Sequence, residues 1–258
     1  MTDRLFKNMR NALRLNTIVE RDRMIAAGGM LGLIALAWAY LVLVMPQPLA
    51  VAMPDLSHWG FQHFVMAVAM WTVMMVAMML PSVGPWVAAL STIGGGAGMT
   101  RELSAGEFLV GYLLVWTGYS VAAASAQWGL HEAGWLSSAS VLDAWPAGFL
   151  LIATGVFQWT PAKAACLEHC RSPIGFFLTS WRSGRSGPFR MGVQHGVFCV
   201  ACCWALMALS FVAGIMNLIW MVFVTLFVLV DHAVARGLWL GRATGAGLVA
   251  WGAWLLML

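Results

Sequence analysis

The sequence predicts an all-α fold, a polytopic transmembrane helix bundle of about seven spans with its N-terminus in the cytoplasm. Three observations predict it. The 258 residues are 61% hydrophobic and 9% charged, with 15 Trp and a mean hydropathy of +0.82, whereas soluble domains carry about 25% charged residues. Apolar stretches long enough to cross about 30 Å of hydrocarbon fall near 24–45, 61–81, 106–127, 144–160, 190–214, 217–234 and 238–258. With those spans all 14 Lys and Arg lie on one side, and the opposite loops carry only Asp55, Glu132 and Asp143 as charged residues. Positive charge marks the cytoplasmic side, which fits an odd number of spans in a cell's inner (cytoplasmic) membrane. The net charge of +4 is then a topology signal and needs no nucleic-acid partner.

Residues 1–23 place Leu5, Phe6, Met9 and Leu13 on one helical face and Arg4, Lys7, Arg10 and Arg14 around the other. That pattern suits an amphipathic helix on an anionic leaflet, so the chain divides into a cytoplasmic segment, 1–23, and a bundle, 24–258. The long charged leader and full-length apolar run argue against a cleaved signal. Pro46 and Pro48 close the first span, and the loop beyond offers Asp55 and His58, with His63 nearby, as a weak metal pattern.

The stretch 61–81 repeats methionine every four residues at Met66, Met70, Met74 and Met78, broadened by Met75 and Met79. Thioethers suit Cu(I), although Met also fills irregular core gaps. Met74 to Met79 approach the cytoplasmic end of a descending helix, where they can share a depth with the cysteines on a later ascending one. After Pro81 a helical pattern breaks at Gly94–Gly96, with no Gly-Lys-Ser/Thr to make a phosphate loop. The 106–127 stretch brings Tyr112, Tyr119 and Ser120 as hydroxyls for interhelical hydrogen bonds.

The fourth stretch runs out into QWTPAKAACLEHCRSP, where Pro161 marks a helix break or restart. Cys166, His169 and Cys170 follow at i, i+3 and i+4, on one face if the segment is helical. The fifth stretch carries the strongest signal. His195, Cys199, Cys202 and Cys203 fall within about a quarter of a helix circumference, with Met207 one turn beyond Cys203. Soft thiolates with an imidazole select Cu(I) or Zn(II) over Mg(II) or Ca(II). One cysteine on a helix reads as packing; three on one face with a histidine read as a metal or redox site. The sixth stretch descends to Asp231 and His232, back at the edge where His195 begins its helix, a pair that offers a metal ligand or proton acceptor or simply ends the helix at the interface. The last, with Gly241, Gly245 and Gly247, is suited to close helix packing. All five cysteines lie between 166 and 203, near the reducing side, so disulfides are not expected.

Three segments carry a resemblance to a known family: WTVMMVAMMLPS at 71–82, QWTPAKAACLEHCRSP at 158–173, and GVQHGVFCVACCWALMALSFVAGIMNLIWM at 192–221. They resemble the signatures of a bacterial family of predicted metal-binding integral membrane proteins. The resemblance implies metal binding, with copper as the metal, through Cys166, Cys170, His195, Cys199, Cys202 and Cys203. Asp231–His232 departs from it, standing where an acidic residue followed by Lys is expected.

The leading functional expectation is a membrane protein that holds Cu(I) through Cys, His and Met for storage, transfer or copper-enzyme assembly. Its partners would be the bilayer and a copper enzyme or metallochaperone. Zinc is the other candidate metal, since three Cys and one His also complete a tetrahedral site. Two alternatives remain open. One is a copper oxidoreductase or oxygenase acting on a lipophilic substrate, in which His195, Asp231 and His232 would matter most. The other is metal-free thiol–disulfide exchange. No stripe of carboxylates marks a path for hydrated divalent ions.

Overall fold

The computed structural model describes residues 2–43, 60–93, 101–137, 141–182, 184, 186–233 and 238–258. It is helical throughout most of those residues. The elements are α1 (Thr2–Leu43), α2 (Phe61–Met79), a 3₁₀ turn (Pro81–Val83), α3 (Gly84–Ile93), α4 (Arg101–Glu132), α5 (Ala144–Phe157) and α6 (Pro161–Arg171). There follow α7 (Pro173–Thr179), α8 (Gly187–Ala208), α9 (Ser210–Ala213), α10 (Leu218–Ala233) and α11 (Leu238–Leu255). Each of the seven apolar stretches is helical over most of its length. Four helical segments are long and apolar enough to cross a membrane: Met24–Leu43, Phe61–Met79, Ser104–Glu132 and Gly187–Ala213. Ala144–Phe157 and Leu218–Ala233 are apolar but shorter. The expected amphipathic segment 1–23 and the first apolar run lie in one uninterrupted helix, α1. The glycine break at 94–96 and the loop ligands Asp55 and His58 fall outside the described residues. His63 accepts a hydrogen bond on Nδ1 from the Gly60 amide, 3.2 Å away, and so caps the start of α2.

The core is built around α4, which packs on both α2 and α8. Trp71 donates from its indole to Gln127 at 2.8 Å and ties α2 to α4. Tyr119 donates to the Trp204 carbonyl at 2.9 Å and ties α4 to α8. Two of the expected hydroxyl anchors, Tyr112 and Tyr119, therefore bond between helices, whereas Ser120 bonds the Trp116 carbonyl of its own helix. The α4–α8 approach rests on missing side chains. A Cβ on Gly192 would strike the Phe108 carbonyl, and one on Gly111 would strike the Phe189 carbonyl. Outside this core, α11 packs along α5 through Gly245 and Gly252, where an added Cβ would stand 2.8 Å and 2.6 Å from the carbonyls of Gly155 and Gly148. Gly247 meets nothing within 4 Å.

This packing predicts an asymmetry between glycines. Gly192→Ala must push α4 from α8, and overpacking of this kind costs about 1–3 kcal/mol; Gly247→Ala fills open space. Thermal unfolding in detergent is expected to show a lowered midpoint for the first and an unchanged one for the second.

Two turns then bring α10 beside the cysteine helix. Helix α8 continues through Leu209 into the short α9 and stops at Gly214, whose φ of 95° suits a residue without a side chain. Asn217 caps the next helix, accepting the Trp220 amide at 3.1 Å. Helix α6 starts in an equally local way: Thr160 Oγ1 accepts the Lys163 amide at 3.3 Å, and Pro161 occupies the first turn.

Candidate metal centre

Three helices converge on one buried group of sulfurs. Cys199, Cys202 and Cys203 stand on α8, Cys170 on α6, and His232 on α10. The four cysteines are 4% exposed or less, while His232 is half-buried. Cys202 Sγ is at the centre of the cluster. It lies 3.3 Å from Cys203 Sγ, 3.8 Å from Cys170 Sγ and 3.7 Å from His232 Nε2, and donates to the Cys199 carbonyl at 3.2 Å. Cys203 Sγ is 3.8 Å from the same Nε2.

These atoms form two sets of three. Cys170, Cys199 and His232 make one, Cys202, Cys203 and His232 the other, and within each set the ligand atoms all lie within 4.8 Å of one another. Thiolate and imidazole donors bound to one ion at about 2.0–2.3 Å stand about 3.5–4 Å apart, so the separations fit a soft metal ion with little movement. The donor chemistry fits as well: four sulfurs and one imidazole, without a carboxylate in either set, favour Cu(I) or Zn(II).

The other expected ligands stand elsewhere. His195 is buried on the same helix, one turn before Cys199, but its ring stacks on Trp86 with centroids 3.7 Å apart and an angle of 24°. Phe108 and Tyr112 stack around it at 5.9 Å and 5.4 Å, and its Nδ1 has no hydrogen-bond partner among the described residues. His169 is exposed, bonds the Ala165 carbonyl through Nδ1 at 3.0 Å and stacks on Phe198 at 4.3 Å. Cys166 is partly buried, packed against the core one turn before Cys170. None of these three belongs to either set.

Met74, Met75, Met78 and Met79 are all fully buried, while Met66 at the other end of the stripe is 51% exposed. The link from this stripe to the cysteines is a tyrosine. Tyr112 Oη donates to the Met79 carbonyl at 3.1 Å and lies 3.4 Å from Cys199 Sγ, with Ser82 Oγ also 3.4 Å away. The phenol, expected from the sequence only as an interhelical hydroxyl, therefore joins the C-terminal end of α2 to the cysteine helix.

Beside the sulfurs lies a buried ionic cluster, and Asp231, one of the expected metal ligands, belongs to it and to neither donor set. Asp231 precedes His232, and its carboxylate meets Lys163 Nζ at 3.3 Å and Arg171 Nη2 at 3.4 Å. Arg171 also donates from Nε and Nη2 to the Asp231 carbonyl, at 2.9 Å and 2.6 Å. Lys163, only 3% exposed, gives a further hydrogen bond to Gln158 Oε1. Both cations come from α6, the helix of Cys170, and the acid comes from α10, the helix of His232. The Arg171–Asp231 pair thus clamps the two helices one residue away from each of those ligands. A lysine set in a short helix between apolar runs was the available signal, since a buried charge demands a partner.

A family model, PpoB2, described as a copper chaperone, matches residues 68–255. The match covers α3 to α11 entire, and with them every donor in the two sets. Neither the curated proteins nor the solved structures contain a match to the chain.

Proposed function

Since the chain belongs to the PpoB2 copper chaperone family, we propose that it is an integral membrane protein that holds Cu(I) at Cys170, Cys199, Cys202, Cys203 and His232 and passes it to a copper enzyme or a second carrier. The observation that carries this reading is the convergence of four thiols and one imidazole from three helices into one buried group. Thiolates in a low-dielectric interior favour the monovalent ion, and a carrier needs its cargo shielded from water and oxygen. The half-buried position of His232 supplies a side from which the ion is reached.

The rest of the reading concerns the membrane. Four apolar helices of spanning length support integration, and the one-sided distribution of Lys and Arg supports seven spans with the N-terminus in the cytoplasm. The metal centre then sits toward the cytoplasmic face. Reporter fusions at the two termini test this: an inside N-terminus and an outside C-terminus are expected, and two termini on the same side would contradict it.

The copper reading is tested by loading detergent-purified protein with Cu(I) under reducing conditions and titrating it against a chromophoric Cu(I) chelator. Retention of copper in stoichiometric amount, undisturbed by excess zinc, is the expected result. Loss of copper to zinc would make this a zinc site.

A further inference from the structure

The two donor sets are not independent, because they share a single residue, His232, whose Nε2 faces the sulfurs. A neutral imidazole has one proton-free ring nitrogen with one lone pair to give. That lone pair binds one ion at a time. Five donors also exceed the four that close a tetrahedral site. Resting on the copper reading above, we propose that His232 is a pivot: one Cu(I) ion occupies two overlapping positions, Cys170–Cys199–His232 and Cys202–Cys203–His232, and moves between them without leaving the imidazole.

The geometry supplies the route. Cys202 Sγ stands 3.8 Å from Cys170 Sγ and 3.3 Å from Cys203 Sγ, so one thiol borders both positions. The exchange proceeds one ligand at a time. A Cu–S bond to Cys202 forms as the bond to Cys170 breaks; the proton leaving the Cys202 thiol passes to the departing Cys170 thiolate. Cys203 and Cys199 exchange in the same way. Copper remains Cu(I) throughout, and neither oxidant nor reductant is consumed. Of the five donors only His232 is not fully buried, so the ligand that never lets go is also the one nearest the surface. A carrier built this way grips its ion with three donors at every stage yet never with all five, which favours handover over storage.

The test is copper stoichiometry in the full-length protein, loaded with Cu(I) under reducing conditions, beside two double variants, Cys170→Ser/Cys199→Ser and Cys202→Ser/Cys203→Ser. One copper per chain is expected in all three proteins. The rate of release to excess bicinchoninate is expected to fall in both double variants, because the second position is gone. Two coppers per chain in the unaltered protein would overturn the proposal, since both positions would then be filled together. Loss of copper in one double variant with undiminished binding and release in the other would overturn it too, by fixing a single position. No copper in the unaltered protein is a separate outcome that removes the copper reading itself. Should a double variant fail to fold, the single variants Cys170→Ser and Cys203→Ser take its place, each expected to keep one copper.

Discussion

The variant Cys199→Ser/Cys202→Ser/Cys203→Ser is expected to purify without copper under conditions in which the unaltered protein holds it. The substitutions leave only Cys170 and His232 of the five converging donors, and neither set of three survives. Serine nearly preserves the volume of the side chain, so the loss is of ligands and not of fold. Elemental analysis checks the metal content, and circular dichroism checks that the helices remain. Copper retained at the unaltered level would mean that the thiols of α8 are packing residues.

Asp231→Asn is expected to produce the largest loss of stability among single substitutions. The carboxylate is buried, at 4% side-chain exposure, and answers two cations, one of which, Lys163, is itself only 3% exposed. Removing one member of a buried ionic cluster leaves uncompensated charge and costs about 3–5 kcal/mol. The double variant Lys163→Met/Asp231→Asn removes the acid together with its most buried cation and is expected to recover much of that loss, with Arg171 still held by the backbone carbonyl at position 231. Thermal unfolding in detergent gives the comparison. Copper affinity follows the same order, because the clamp sets the distance from Cys170 on α6 to His232 on α10; disrupting residues that orient metal ligands lowers affinity by about 10–100-fold. An Asp231→Asn protein as stable as the unaltered one would show that the cluster carries no weight.

Much of this arrangement was legible in the residues. The periodicity of α8 put Cys199, Cys202 and Cys203 on one face, and the structure brings their sulfurs together with Cys170 from α6. The apolar stretches gave the helices, and the glycines of the last one foretold a close contact, made at Gly245 but not at Gly247. What periodicity could not supply was the identity of the neighbours. His195 and Cys199 share a face one turn apart, yet that single turn separates a sheath of Trp86, Phe108 and Tyr112 rings from a pocket of thiols. His232 lay 29 residues beyond Cys203 on another helix; the sequence offered it with Asp231 as a candidate ligand, and only the fold brought its Nε2 to 3.8 Å from the Cys203 sulfur. The ionic cluster was hidden for the same reason. Lys163 and Arg171 flank the 166–170 cysteine pair in the sequence, and only α10 places Asp231 against them.

Tyr112 shows how a residue read as structural can border a functional one. Its phenol bonds α2 and reaches Cys199, so that the methionine-rich helix and the cysteine helix share a hydroxyl.

The most direct test of the copper centre is the X-ray absorption spectrum of the Cu(I)-loaded protein at the copper edge. A Cu(I) edge with a shell dominated by sulfur and one imidazole nitrogen is the predicted result, with no neighbouring copper. A shell of nitrogen and oxygen, or a Cu(II) edge under reducing conditions, would place the metal outside the group formed by Cys170, Cys199, Cys202, Cys203 and His232.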